Sequence, residues 1–391
     1  MRKVHLLLCM LLLLSVLLTG CWDRREINDV AFVVGTALDK EEDKYRTTLQ
    51  ITIPGQVAGP EGGGNGENPW FLRSVASDSL RGATLIMQTE TPRKIFFSHR
   101  RSLLFGEALA REGISTILDS FGRLPENRLS ALPVVTRGDA YQVLSAEPQI
   151  EQYPGEAIRE LVFSYLKKPW TMKTLVNLIL EEGIDPVMPL ISTVESVPSS
   201  VAEPKKGLGI AGLAVFREDQ LVGLINKEHA VGILLAMDQA SNIELPVNAP
   251  KGKGKIFFSI NENNAEFTPI VHSDEDITMK ITIDARMSIT TNESNYDTTE
   301  EANIKELEHE MNEMVKKMME TNIENLQNYK SDILGFGRLL KTEHPKLWAR
   351  IKDRWDQIYP EITIEVEPKF RLENTGTATE PFAVKEGKMI K

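Results

Sequence analysis

Apolar residues follow strand-like and helix-like spacings along most of this chain, and these spacings predict its elements. Residues 30–38 form a nearly continuous apolar run, and residues 45–53 alternate between apolar and polar types after a charged turn. Successive side chains of a strand point to opposite faces, so alternation indicates a strand with one buried face. The two segments therefore predict a hairpin near the start of the globular body.

Two segments of unusual composition interrupt these patterns. Residues 55–69 are rich in glycine and nearly free of apolar residues, which predicts a surface loop. Residues 198–206 are polar and include two prolines, and we expect the main domain boundary there. Between the two segments, we expect a helix from Ser74 to about Thr91, followed by short strands and helices up to residue 194.

The carboxy-terminal half carries the most regular patterns. Residues 255–260 and 265–271 predict two strands, and residues 279–289 alternate without a break, as in a strand with one buried face. A long helix follows, with a capping box formed by Thr298 and Glu301. Its apolar stripe contains several methionines, which either pack on the neighbouring sheet or form a docking groove. A further helix at 345–358 and a strand at 362–366 complete the prediction.

This order of elements predicts an α+β protein, because strands are followed by helices and one returning strand. A chain of 391 residues is long enough for two or three domains of ordinary size. The apolar fraction of 41% and the charged fraction of 26% are typical of a globular body. The net charge of −11 is spread along the sequence, and this argues against nucleic acid as a partner.

The amino-terminal segment, residues 1–20, differs in composition from this body. Arg2 and Lys3 precede an apolar run at residues 6–18 that is interrupted only by Ser15. A short positive segment followed by such a run is typical of a secretory signal peptide. A membrane span, the alternative, needs about 20 apolar residues, and the run reaches that length only if it is extended to residues 4–22. We predict a signal peptide at residues 1–20 and an exported body.

Cys21 stands at the boundary between this leader and the body. The preceding Leu18, Thr19 and Gly20 resemble the bacterial lipobox, in which small residues permit cleavage before a lipidated cysteine. The other cysteine, Cys9, lies in the leader, so Cys21 has no disulfide partner in the mature chain. We predict cleavage before Cys21 and its modification by S-diacylglycerol and N-palmitoyl groups. Two or three acyl chains are sufficient for stable membrane anchoring.

No sequence motif points to catalysis, a cofactor or a metal. Residues 207–212, GLGIAG, have the dinucleotide-binding spacing, but a linker precedes them and a strand follows, whereas that site needs a strand before and a helix after. Ser164 and Lys167 match S-x-x-K without the companion S-D-N and K-T-G motifs. The histidines of the body are scattered, without zinc-site spacing. We predict a non-enzymatic protein with no cofactor and no metal.

Three stretches of the chain resemble one known family. They are residues 20–39 (GCWDRREINDVAFVVGTALD), 96–113 (FFSHRRSLLFGEALAREG) and 332–366 (DILGFGRLLKTEHPKLWARIKDRWDQIYPEITIEV). These stretches are similar to the C-subunit lipoproteins of bacterial spore germinant receptors, the GerAC-like family. In that family, a lipidated cysteine precedes a W-D-x-R-E-I segment and a small apolar strand. The matches follow the family's order and span nearly the whole mature chain.

The resemblance implies a lipoprotein anchored to the outer face of the spore inner membrane. Its partners would be A- and B-type integral membrane subunits, and its role would be in the germination response to nutrients. The resemblance also implies three mixed α/β domains behind the signal peptide. We expect a discontinuous first domain at 21–56 and about 168–200, a second at 57–167 and a third at 201–391. It gives no prediction of direct germinant binding.

The alternative function is a solute-binding lipoprotein that delivers nutrient to a transporter, and a cell-wall enzyme is a third possibility. A solute-binding protein would need two lobes of alternating parallel strands and helices, a pattern that the sequence does not have. Tight nutrient binding by the isolated body would favour the transporter function, and hydrolysis of peptidoglycan would favour the enzyme.

Overall fold

The computed structural model describes residues 2–5, 10, 29–52, 69–124, 126–148, 150–195 and 206–374. The predicted lipidation segment at 18–21, most of the glycine-rich segment and most of the predicted linker lie outside these residues. Within them, the chain is a multi-domain α+β structure with two sheets, which confirms the predicted fold class. The division into three domains stays a prediction.

The first sheet has nine strands within the described residues. Its order is β3-β2-β1-β5-β6-β7-β8-β9, and β4 pairs with the start of β1. The central strands β1, β5, β6 and β7 are parallel, and β2, β3, β8 and β9 extend the sheet in antiparallel fashion. The strands are β1 (Val30–Glu41), β2 (Lys44–Thr52), β3 (Trp70–Ser77), β4 (Lys94–Phe96), β5 (Ser102–Gly106), β6 (Leu132–Thr136), β7 (Val187–Glu195), β8 (Lys206–Arg217) and β9 (Gln220–Asn226).

The central position of β1 explains its sequence. The strand lies between β2 on one side and β4 and β5 on the other, and almost all of its residues are buried. A strand that is covered on both faces is apolar at consecutive positions instead of alternating. The predicted hairpin is confirmed, because β1 and β2 pair in antiparallel register from Phe32 and Thr52 to the tight turn between Glu41 and Lys44.

Six helices among the described residues cover this sheet and connect its strands. Parallel neighbours require crossovers, and helices supply them between β5 and β6 and between β6 and β7. The helices are α1 (Leu80–Thr89), α2 (Glu107–Glu112), α3 (Ser115–Gly122), α4 (Ala140–Leu144), α5 (Pro154–Tyr165) and α6 (Met172–Leu180).

The predicted helix from Ser74 is wrong over its first part. Residues Trp70–Ser77 form the edge strand β3, which pairs with β2 alone among the described strands. Helix α1 begins only after Ser79, whose Oγ accepts a hydrogen bond from the N–H of Gly82 at 3.1 Å. Serine is a strong helix N-cap, and it marks the start of the helix that the apolar spacing alone placed too early.

The second sheet has the order β10-β11-β12-β13, with β12 and β13 parallel and the other pairs antiparallel. The predicted alternation of β12 is confirmed, because its apolar side chains are buried on one face. The strand β11 is one long strand instead of the two short ones expected, since it pairs with β12 along nearly its full length. The strands are β10 (Glu244–Asn248), β11 (Lys255–Val271), β12 (Ile277–Asn292) and β13 (Thr363–Asn374).

Five further helices of the described chain pack on these strands. They are α7 (Lys227–Ala236), α8 (Glu301–Tyr329), α9 (Phe336–Glu343), α10 (Pro345–Ile351) and α11 (Trp355–Ile358). In α8, Met311 and Met319 are fully buried, so this part of the methionine stripe is a core face. The predicted capping box is wrong, because α8 begins at Glu301 and its N-cap residue, Glu300, makes no side-chain cap.

Helix α7 joins the two sheets into one core. It contacts β8 of the first sheet, β11 of the second sheet and the long helix α8. Its last seven residues are nearly all buried, and a helix that is apolar on every side is covered on every side. One hydrophobic cluster consequently extends from Ala37 on β1 to Phe370 on β13.

Candidate functional site

Arg100 lies buried in the turn between β4 and β5. Its backbone N–H donates to the carbonyl oxygen of Phe97 at 3.1 Å. Its Nε donates to Oγ1 of Thr36 on β1, and its Nη1 donates to Oδ1 of Asn127, each at 2.9 Å. Asn127 donates in turn from Nδ2 to the carbonyl oxygen of Phe121 at 3.0 Å. The arginine is therefore fixed between the central strand and the segment after α3.

Two phenyl rings lie against the guanidinium group. The Cζ atom of Arg100 is 4.9 Å from the ring centroid of Phe97 and 4.6 Å from that of Phe121, within the range of cation–π attraction. Burial lowers the pKa of Arg100 to about 9, because removal from water disfavours the charged form. The group is still a cation at neutral pH. No carboxylate of the described residues lies within 4 Å of it.

A cavity of about 290 Å³, here called the Arg100 cavity, opens beside this cation. One wall is a face of the β1 and β2 hairpin, where Thr36 lies opposite Leu49 and Leu38 lies opposite Thr47. Helices α1 and α3 and the segment after α3 form the rest. The lining residues on these elements are Leu80, Arg81, Thr84, Ser120, Phe121, Arg123, Leu124 and Asn127.

The cavity offers hydrogen-bonding groups that the described protein does not use. The Oγ1 atom of Thr47 is buried and has no hydrogen-bond partner. The Nη2 atom of Arg100 makes no hydrogen bond to the described residues. None of the described lining residues is a histidine or an acid, so the cavity has no group that exchanges a proton near neutral pH.

A second buried ionisable group, the carboxyl of Asp332, organises the turn before α9. Its Oδ1 accepts hydrogen bonds from the N–H groups of Gly335 and Phe336 at 2.8 and 2.9 Å. Its Oδ2 accepts from the N–H of Gly337 at 2.8 Å and from Nε1 of Trp355 at 3.1 Å. One carboxylate thus holds the G-F-G turn and anchors the helix that carries the tryptophan.

The same turn joins the second sheet to the first. Just before β7, the side chain of Asp185 accepts from the N–H of Asp332 at 2.8 Å, and its own N–H donates to the carbonyl oxygen of Asp332 at 3.0 Å. The N–H of Arg338 donates to the carbonyl oxygen of Gly183 at 2.7 Å. A Cβ atom on Gly337 would lie 2.8 Å from Cα of Gly183, so the two backbones touch. These residues form the inter-sheet joint.

Burial shifts the pKa values of both carboxyl groups in the inter-sheet joint. It raises the pKa of Asp332 to about 7, and the nearby Asp185 adds to this shift, while the hydrogen bonds from Gly337 and Phe336 oppose it. Burial also raises the pKa of Asp185. Two neighbouring acids in a dry environment resist simultaneous ionisation. Burial and the neighbouring Asp185 therefore hold the pKa of Asp332 well above its ordinary value of 3.8.

Two protein-family models match nearly the whole body of the chain. Residues 23–193 match the model of the spore germination protein N-terminal domain, and residues 211–376 match the spore germination B3/GerAC-like C-terminal model. The chain belongs to the GerAC-like family. The gap between the two matches, residues 194–210, includes residues 198–206, where the composition predicts a linker.

Full-length relatives support this membership. The chain is 35% identical to the putative spore germination protein YfkR of Bacillus subtilis strain 168, over 93% of this chain and 95% of that protein. It is 26% identical to spore germination protein KC of the same organism, over 96% of this chain and 97% of that protein. The crystal structure of the GerBC protein has the same fold, with a TM-score of 0.56 and 18% identity, and the match covers 87% of this chain and 97% of that chain.

The three GerAC-like stretches of the sequence carry the buried groups described above. The first contains Thr36, and the second contains Arg100, which donates to it. The third begins with Asp332 and includes its partner Trp355. The first two stretches therefore meet at the Arg100 cavity, and the third contributes Asp332 and Trp355 to the inter-sheet joint.

The predicted site residues of this GerAC-like chain lie outside the described residues. These are Cys21 and the lipobox residues Leu18, Thr19 and Gly20. The described body begins at Asp29, next to the first residue of β1. Among the described helices, none has the length and apolar character required to cross a membrane. Lipidation of Cys21 stays a prediction.

The two partial motifs of the sequence, S-x-x-K and GLGIAG, lie at a helix end and in a strand. Ser164 lies on α5 and donates from Oγ to the carbonyl oxygen of Leu161 at 2.8 Å, and Lys167 pairs with Asp238 at 2.9 Å on the surface. The residues of GLGIAG lie inside β8. Within the described ranges, no group of three histidine, cysteine or acidic side chains could hold a metal ion.

Sequence reasoning missed both Arg100 and Asp332 as special residues. Asp332 precedes Gly335 by three positions, and this Asp-to-turn spacing is a recognisable capping signal. Arg100 gives no such signal, because the adjacent Arg101 has the same chemistry but is exposed. Only the structure shows that Arg100, and not Arg101, points into the core.

Proposed function

We propose that this chain is the lipid-anchored C subunit of a nutrient germinant receptor. It works as a non-enzymatic ectodomain that assembles with A- and B-type integral membrane subunits. Its place is the outer face of the spore inner membrane. There it is required for the germination response.

One observation carries the proposal. The family match begins at residue 23, two positions after Cys21, and its second part extends to residue 376. The GerAC-like match therefore starts directly after the predicted cleavage site, which supports a leader that is separate from the body. A body placed immediately behind a lipid attachment point fits a membrane-held partner of integral subunits.

Metabolic labelling tests the anchor. We expect labelled palmitate on the mature chain and its complete loss, together with loss of membrane association, in Cys21→Ala. Cys9→Ala is the matched control, because it removes the leader cysteine and should leave labelling unchanged. Equal labelling of the Cys21→Ala variant would refute lipidation at this residue.

Germination assays test the receptor role. Spores that lack this protein and its close paralogues should respond poorly to at least one nutrient, and the wild-type gene should restore the response. Cross-linking in intact spores should capture two multi-spanning membrane proteins. Normal germination of the deleted spores on every nutrient tested would refute the proposal.

A further inference from the structure

We propose that the Arg100 cavity binds a small organic carboxylate with an apolar body. This inference goes beyond the proposed function, because assembly of a receptor requires no ligand in the C subunit. It rests on an unbalanced buried charge, an unused hydroxyl group and the composition of the cavity wall.

The charge on Arg100 is the first argument. A buried cation is costly unless an anion compensates it, and the described partners, Thr36 and Asn127, are neutral. An arginine side chain has five N–H donors in a planar fork, and these two partners receive one each. A carboxylate can accept two parallel hydrogen bonds from the N–H groups of the guanidinium that these partners leave unused. It also supplies the missing negative charge.

Thr47 is the second argument. It is 3% exposed, it lines the same cavity, and its Oγ1 has no hydrogen-bond partner. A buried polar atom without a partner is uncommon in native proteins and indicates a missing ligand or water. A polar group of a bound molecule would satisfy this hydroxyl group.

The cavity wall limits the kind of anion. Leucine and phenylalanine side chains form much of it, so the rest of the ligand should be apolar. An α-amino acid also carries an ammonium group, which would need an acidic partner, and the described lining contains none. The volume of about 290 Å³ suits a small molecule. A monocarboxylate therefore fits better than a zwitterion.

Two further arginines favour entry of an anion. Arg81 and Arg123 line the cavity and have exposed side chains, although Arg123 is also paired with Asp119 at 2.7 Å. Positive charge around an opening raises the local concentration of anions and their rate of association. Positive charge therefore favours an anion both inside the Arg100 cavity and at its exposed arginines.

Calorimetric titration of the full chain in lipid nanodiscs tests the inference with three probes of equal tail length. These are hexanoate, hexanamide and norleucine. We expect saturable binding of hexanoate, at least tenfold weaker binding of the neutral hexanamide, and at least tenfold weaker binding of the zwitterionic norleucine.

Two variants locate the site. Arg100→Met removes the charge with little change in volume, and Thr84→Phe fills the cavity from α1 and keeps the arginine in the sequence. Each should weaken hexanoate binding at least tenfold. Arg111→Met is the matched control, since Arg111 is an exposed residue of α2 outside the cavity, and it should bind as the wild type does.

Several outcomes would overturn the inference. Absence of hexanoate binding to the wild type would do so, as would equal binding to Thr84→Phe, which places the molecule elsewhere. Equal binding of hexanoate and hexanamide would remove the role of the charge. Tighter binding of norleucine would contradict the assigned ligand class. If Arg100→Met does not fold, Thr84→Phe and the comparison of probes still decide the question.

Discussion

At the scale of single residues, the structure depends on charges that the fold has buried and then surrounded with donors. Asp332 is 1% exposed and accepts four hydrogen bonds, three from backbone N–H groups and one from Trp355. Replacing one partner of such a set leaves the others buried and unpaired, which costs more than the bonds themselves contribute.

Asp332→Ala should therefore destabilise the protein by about 3 kcal/mol, because four buried donors lose their acceptor at once. Urea unfolding measures the change. Asp356→Ala is the control, since Asp356 is exposed on the same short helix as Trp355, and it should change the stability by less than about 0.5 kcal/mol. Equal effects of the two substitutions would contradict the role of Asp332.

The raised pKa of Asp332 also predicts a pH dependence of stability. Between its ordinary value of 3.8 and about 7, the folded state holds a proton that the unfolded state has lost. The stability that this bound proton contributes is fully present below about pH 4 and is lost as the pH rises through about 7, a loss of roughly 4 kcal/mol. Asp185, raised in the same direction, adds to the fall.

Unfolding free energies of the wild type and of Asp332→Asn, measured from about pH 4 to about pH 8, test this dependence. The variant does not titrate at position 332, so the stability difference between the two proteins should change with pH in this window. Parallel curves would show that Asp332 does not titrate in that range.

At the scale of elements, the inter-sheet joint depends on glycine. A Cβ atom on Gly337 would lie 2.8 Å from Cα of Gly183 and 2.8 Å from Cη2 of Trp348. Neither a backbone atom nor a packed indole ring can move aside easily, so Gly337→Ala should cost about 1 to 3 kcal/mol.

Thermal and urea unfolding measure this cost, and Gly122→Ala is the matched control. Gly122 is the last residue of α3 and has no atom within 4 Å of an added Cβ, so alanine there should leave stability unchanged or raise it slightly. A neutral Gly337→Ala variant would show that the two backbones can separate without loss of stability.

The sequence predicted well the strands that are buried either on one whole face or on both faces. The strand β12 alternates because one face is core, and β1 is continuously apolar because both faces are covered. The edge strand β3 escaped prediction because no strand-like alternation marks it, and its burial is mixed along its length. Pairing with β2 determines its conformation, and such non-local pairing leaves no local pattern in the sequence.

At the scale of the whole molecule, the first sheet continues past the predicted linker. The strands β8 and β9 follow the predicted linker in sequence but complete the first sheet, where β8 pairs with β7. No periodicity within a segment could have predicted this, since it concerns which distant strands pair. The Arg100 cavity was unpredictable for the same reason, because it needs β1, β2, α1 and α3 together.

A truncation series tests this arrangement. A chain that ends at residue 195 lacks β8 and β9, so β7 loses its outer neighbour and Leu103 and Phe105 lose core partners such as Phe216. We expect this fragment to aggregate, because an exposed strand edge and exposed core promote association. A chain that ends at residue 226 retains the whole sheet and should be more soluble. Size-exclusion chromatography compares them, and equal behaviour would contradict the prediction.

The central position of β1 has a mechanical consequence for an anchored body. If Cys21 is lipidated as proposed, β1, which begins at Val30, is the first strand of the described body behind the anchor. The hydrogen bonds from β1 to β2, β4 and β5 lie across the strand direction. A force along β1 therefore loads many of these hydrogen bonds at the same time. Rupture would need all of them to break together, whereas a force across the strands would break them one after another.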